Sequence, residues 1–347
     1  MTDVRNPRLA DAPSVTAERA ERTPEIAAAA AQRPGTPPRV DKRDPRYLAL
    51  RNFAISMSIF NILGYTVLGF EQPWLWPFLA LAVGYTAEIV IEVVSARALR
   101  RPPAFSGNGA WGVYTFLLPT HITALAANML LYANDTFWPI AFAVLVAIGQ
   151  KAVFQAPING RMRHFLNPSN FGITVALLCF GWVNIAPPYQ FTESVPDVIS
   201  IMVPVVIITA GTVLNAMLTK KVPLIVGWAG GFVIQALLRH FIWDVALWAA
   251  LVPMTGVAFI LFTNYMITDP GTTPSAPRWQ FMFGSSVAMV YGVLMVFNVV
   301  YTLFFAVTLV CMARGLYWWG RWLLDRRRQH GLEPVAPPAA VELPVAR

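Results

Sequence analysis

Charged residues are scarce in this chain. Asp, Glu, Lys and Arg supply 13% of its 347 residues and hydrophobic residues 56%, too little polar surface to enclose a soluble domain of that length. A free-standing soluble enzyme or binding module is thereby excluded. Cysteine occurs twice, at Cys179 and Cys311. Each lies in an apolar run without a spacing partner, so both read as small core residues and not as a disulfide or cluster site. Histidine occurs four times; His121 lies well inside an apolar run, and His164, His240 and His330 are at run ends or in a tail, which argues against paired axial haem ligation. No Cys/His spacing suits a metal, no Walker motif suggests an autonomous ATP-driven pump, and Ser, His and Asp form no hydrolytic pattern. Residues 1–45 lack the short apolar core and small-residue cleavage site of a signal peptide, so the first apolar run is expected to direct insertion.

What remains is a series of long apolar runs. A span needs about 20 mostly apolar residues, and ten are predicted: 52–70, 76–96, 111–132, 136–154, 170–186, 198–217, 222–242, 245–266, 280–297 and 299–318. The last division depends on Asn298 marking a very short turn. The expected fold is therefore all-α, a polytopic integral membrane protein of about ten transmembrane helices. With both termini cytoplasmic, every Lys and Arg of the 26 except Arg239 falls inside, while Glu71, Asp135, Glu193, Asp197 and Asp244 fall outside. This is the positive-inside pattern for N-in, C-in. The net charge of +8 then reports topology and contact with anionic lipid, not nucleic acid. Residues 1–48, rich in Ala, Pro, Arg and Glu, read as a disordered cytoplasmic tail, 49–320 as the membrane domain and 321–347 as a cytoplasmic C-terminal tail.

Several polar residues interrupt these runs at a cost that needs a reason. Glu88 and Glu92 share one helical face, and an ionisable group inside a span is a functional candidate. Glu92 lies near Arg97, Arg100 or a basic residue of a neighbouring loop and reads as structural; Glu88, one turn deeper, is the candidate to line a polar site. Pro119, Thr120, His121 and Thr123 cluster on one turn, where a proline frees a carbonyl. Glu88 and His121 are therefore the candidate proton carriers, with hydrogen-bonded packing as the alternative for His121.

Two signatures stand out further, RMRHFLNPSNFG at 161–172 and NYMITDPGTTP at 264–274. Asn167 and Pro168 suit an N-cap and first helical position. Arg161, Arg163 and His164 directly before a helix N-terminus would make an anion site. Asp269-Pro270-Gly271 is a helix stop, and Thr268 and Asp269 are expected to face the first signature across one membrane surface.

The order of these features resembles the RnfD/NqrB family of membrane flavoprotein subunits over roughly residues 50–318. That order is an acidic residue in the second run, a threonine and proline segment in the third, a basic loop into HFLNPSNFG at 164–172, and a run ending in MITDPGTTP at 266–274. The detailed wording is more similar to UnbU-type membrane proteins, which are encoded beside enediyne polyketide synthases. FAISMSIFNILGYTVLGFEQ at 53–72, LLPTHITALAANMLLYAN at 117–134, NPSNFGITVALL at 167–178, IAPPYQFTES at 185–194 and PMTGVAFILFTNYMITDPGTTP at 253–274 carry this likeness. It implies a role in enediyne natural-product biosynthesis at a bacterial inner membrane, with other enediyne-cassette proteins and redox partner subunits as partners.

The wider family implies electron transfer through flavin, toward or from quinone. Its members hold FMN covalently on a threonine in a Gly-Ser-x-Gly-Glu/Ala-Thr-like stretch. The corresponding PPYQFTESVPDVIS at 187–200 has no glycine, and Thr192 is only an echo of that threonine, so covalent attachment is not expected. A non-covalent FMN or riboflavin, or a quinone, would be held by Arg161, Arg163, Asn167 and Asn170 with Thr268, Asp269, Thr272 and Thr273. The competing reading is a scaffold or carrier without a cofactor, for an apolar polyene and its biosynthetic partners.

Overall fold

A bilayer offers no hydrogen bonds to a bare backbone, so apolar runs of this length pair their amides internally and become helices. The structure, a computed structural model, describes residues 44–158, 160–187 and 195–330. Helix α1 spans Pro45–Leu63 and continues into a wider π turn at Gly64–Leu68; α2 covers Trp76–Ala98 and α3 Gly109–Leu130. Helices α4 (Trp138–Val153) and α5 (Pro168–Cys179) are joined by a hairpin, β2 (Gln155–Ile158) and β3 (Arg161–His164). Strand β1 (Leu131–Tyr132) pairs antiparallel with β4 (Asn184–Ile185). Next come α6 (Asp197–Leu214) with a π turn at Asn215–Thr219, and α7 (Val222–Trp243). The short helices α8 (Leu247–Leu251) and α9 (Val257–Leu261) flank a 3-10 turn and lead into a π turn at Phe262–Met266. Finally α10 spans Pro277–Val296 and α11 Thr302–His330.

Six of these helices are long and apolar enough to cross a bilayer: α2, α3, α6 with its π turn, α7, α10 and the Thr302–Arg327 part of α11. The segments Leu247–Thr255 and Val257–Met266 meet at 64° and make a seventh if they are one broken span. Hydropathy predicts more, and the difference lies in length. Helices α4 and α5 are apolar but hold 16 and 12 residues, about 24 and 18 Å of rise against about 30 Å of hydrocarbon. The runs at 136–154 and 170–186 reach span length only by including residues outside the helices. Helix α1 starts before its predicted run of 52–70, takes in Arg46 and Arg51, and is not among the six. By contrast, Asn298 and Tyr301, both left-handed with φ of 54 and 60, do divide α10 from α11 as the asparagine suggests.

Helix reaches into both stretches read as tails, since α1 starts at Pro45 and α11 continues to His330. The remainder of those tails and Thr192 lie outside the described residues.

The chain divides into two compact units. In the first, the described part is Glu92–Phe116. Here the Glu92 carboxylate accepts from both Arg101 NH groups and, at 2.6 Å, from the amide of Ala104. This pins the turn where Arg100 is left-handed (φ 49). Glu92 is thus the structural carboxylate, paired with Arg101 of the neighbouring loop and not with Arg97 or Arg100.

The second unit, 42–91 with 117–347, holds the core. Helices α7 and α10 approach backbone to backbone, because a Cβ on Gly227 would lie 2.3 Å from the Phe281 carbonyl and one on Gly284 2.3 Å from that of Leu224. Small residues of this kind let membrane helices associate through dispersion where hydrocarbon offers no hydrophobic drive. Trp228, fully buried beside this seam, stacks on Phe259 at 5.4 Å and meets Phe232, Phe262 and Tyr291. Helix α6 shows the opposite character, with Val198, Ile201, Met202 and Val205 more than half exposed, as suits a lipid-facing surface. Cys311 is buried but Cys179 is exposed, so only the former is a core residue.

Candidate functional site

The first signature folds as a set of packing devices. Asn167 caps α5, its Oδ1 accepting from the Asn170 amide at 3.0 Å, and Pro168 occupies the first turn, where no amide partner is needed. Gly172 allows α5 onto α4, since a Cβ there would lie 2.2 Å from the Ala143 carbonyl. Asn170, 1% exposed, donates to the Phe304 carbonyl at 2.9 Å and to Thr308 Oγ1 at 2.8 Å, tying α5 to α11. Arg161 and Arg163 lie exposed on β3, paired with Ile158 and Ala156. The amides expected to receive an anion at this helix start are in part taken by the Asn167 cap itself.

The second signature is built around the π turn. Because that turn spaces its backbone bonds more widely, carbonyls become available to side chains. Asn215 Nδ2 donates to Asn264 O at 2.8 Å, Thr268 Oγ1 to the same oxygen at 2.8 Å, and Asn167 Nδ2 to Met266 O at 2.9 Å. That last bond joins the two signatures directly, through the Met266 carbonyl and not through Thr268 or Asp269. Asp269 then closes its own turn, accepting from the Gly271 amide at 3.1 Å and Thr272 Oγ1 at 2.7 Å, while Thr273 Oγ1 donates to its carbonyl at 2.6 Å.

Charged side chains missed in the sequence surround this loop. Lys221 Nζ donates to Pro274 O at 2.7 Å, and an Arg314 NH group donates to Thr272 O. Burial pushes the Lys221 ammonium down to about 8, with Asp269 opposing and Arg314 adding to the shift. His164 stands close by, its Nε2 3.5 Å from where a Gly271 Cβ would be. Burial lowers its pKa, and the negative charge of Asp269 raises it in part. Gln150 and Gln280, both almost fully buried, hold the flanking carbonyls of Leu166 and Ser275 at 3.3 and 2.9 Å. The acceptor oxygens of Gln150, Gln280, Asn170 and Asn264 have no partner among the described residues.

A second polar cluster connects α2, α3 and α4. Glu88 Oε2 accepts from Lys151 Nζ at 2.7 Å and from Thr120 Oγ1 at 2.8 Å, so the candidate proton carrier is half of an ion pair. Nearby, His121 Nε2 lies 2.8 Å from Ser58 Oγ and Nδ1 lies 2.6 Å from Tyr85 OH. Ser58 spends its one hydroxyl proton on the Ala54 carbonyl at 2.9 Å. It therefore accepts from Nε2–H, and Nδ1 accepts from Tyr85. The histidine is the hydrogen-bonded link among three helices that the packing alternative describes, and it keeps a basic nitrogen aimed at a phenol.

A cavity of ≈ 210 Å³ lies apart from both clusters, between α1 and α6, lined by Phe60, Leu63, Val67, Met202, Val206 and Leu261 among others, with no polar lining. It suits a hydrocarbon chain and offers a flavin ring no hydrogen bond. The donors that fit a polar ligand are instead the Lys221 and Arg314 side chains beside the 269–275 loop. No protein-family model matches the chain, and no curated protein matches it.

Proposed function

We propose that this multi-pass membrane protein is an UnbU-type member of the RnfD/NqrB family, with ten passes and both termini inside. In this reading it serves enediyne natural-product biosynthesis at a bacterial inner membrane as a flavin- or quinone-linked electron-transfer subunit. The observation that carries the reading is the closure of the two signatures on each other. A bond from Asn167 to Met266 O brings two polar loops 99 residues apart together, and Lys221, Arg314 and His164 gather there. Apolar walls with a few convergent polar groups are what a membrane-bound ring cofactor needs. In the scheme, Glu88 and His121 move the coupled proton, Arg161 and Arg163 meet the solvent-side end of the ligand, and redox partner subunits dock on that face.

One specific observation favours a second reading, a cofactor-free scaffold or carrier for an apolar polyene. Asn167, Asn170, Thr268, Thr272 and Thr273 already spend side-chain groups on bonds within the protein, and the apolar cavity would accept a hydrocarbon chain. Absorbance and acid extraction of detergent-purified protein separate the two. Extractable FMN or riboflavin, or a bound quinone, is the expected result. A colourless preparation that binds neither on titration would establish the scaffold reading in its place.

A further inference from the structure

Lys221 is 3% exposed and Arg314 is half-buried, yet neither takes part in an ion pair among the described residues. Each spends one N–H on the same loop, Lys221 on Pro274 O and Arg314 on Thr272 O. An ammonium has three donors and a guanidinium five, so most of their capacity is unspent. Buried cations without a counter-charge are costly, and carbonyl dipoles offset only part of that cost. Asp269, the anion in the loop, offsets part of the burial of Lys221, but its two oxygens bond the Gly271 amide and the Thr272 hydroxyl and form no ion pair with either cation. Pro270, Gly271 and Ser275 of the same loop are exposed.

We propose that Lys221 and Arg314, with the 269–275 loop that they hold, form a binding site for a phosphate group. A guanidinium fork and an ammonium beside one loop suit the several acceptor oxygens of a phosphate, whether a monoester or a diester, better than a carboxylate with two. Burial lowers the proton affinity of Lys221, and an anion bound beside it would raise that affinity again. The site stands whether or not the protein transfers electrons, because the phosphate can belong to a soluble ligand or to a lipid headgroup.

Lys220, exposed and adjacent, supplies an internal control. The protein is placed in phosphatidylcholine nanodiscs at pH 8 and treated with an amine-reactive reagent, and each lysine is followed by mass spectrometry. Inorganic phosphate at constant ionic strength is expected to slow modification of Lys221 by roughly tenfold and to leave Lys220 unchanged. In a second arm, phosphatidylglycerol replaces part of the phosphatidylcholine without free phosphate. Protection there alone assigns the group to a lipid headgroup, and protection by inorganic phosphate assigns it to a soluble ligand. Protection in neither arm overturns the proposal, because cations that only pin the loop gain nothing from phosphate. The Arg314→Gln protein should lose the protection, and full protection in that variant would equally overturn the two-cation site.

Discussion

Asn170 shows why a polar residue sits among apolar ones here. Its amide nitrogen serves two acceptors on α11, the Phe304 carbonyl and Thr308 Oγ1, at a position where water is excluded. Replacing Asn170 with Ala strands those acceptors, at about 1–3 kcal/mol. Thermal unfolding in detergent should show a lower midpoint, while Arg161→Ala, at an exposed strand position, should leave it nearly unchanged. Lys221 makes a prediction with a pH sign. Its proton affinity falls on folding, from 10.5 to about 8, so between these values the unfolded chain binds more protons than the folded one. The penalty is fully present below about pH 8 and is relieved as pH rises toward 10.5, a gain of about 3 kcal/mol. Lys221→Met should flatten the stability profile between pH 8 and 10; a profile as steep as that of the parent protein would refute the burial account.

At the scale of elements, seams without side chains hold the bundle. The α7–α10 contact depends on Gly227 and Gly284, where any Cβ would enter a carbonyl 2.3 Å away. Gly284→Val should therefore force the helices apart and cost at least 1–3 kcal/mol, read as loss of monodisperse protein in size-exclusion chromatography. Gly230→Ala, on the facing helix α7 with nothing within 4 Å of the added carbon, should be tolerated. Equal damage from both would show that helix content, not close approach, sets the requirement. The short pair α4 and α5 depends likewise on Gly172 meeting Ala143, and its hairpin is anchored where Trp319 Nε1 donates to Gln155 O at 2.9 Å.

For the whole molecule the open quantity is topology, because helices alone do not say which side of the bilayer each loop meets. The charge distribution leads to a definite expectation. In a background without Cys179 and Cys311, a single cysteine at Ser275 should be modified by a membrane-impermeant thiol reagent only in inverted vesicles, and one at Asp244 only in intact cells. Modification of both from the same side would remove the N-in, C-in arrangement. It would also move the 269–275 loop to the other face.

Hydropathy and charge determined by themselves that this is a membrane protein built of helices, and the two polar signatures marked where its chain turns. Those properties are local, arising from backbone hydrogen bonds that hydrocarbon cannot replace, so a single run of residues suffices to read them. The number of full spans was not legible, because a helix end depends on caps and contacts such as those of Asn167, and an apolar residue in a hairpin reads like one in a helix. Nor were the roles of Lys221 and Arg314. In the sequence they are charges at or near the ends of apolar runs, indistinguishable from residues that face water. Only the tertiary structure placed them against the carbonyls of Pro274 and Thr272, since burial is a property of what packs around a residue and not of its neighbours along the chain.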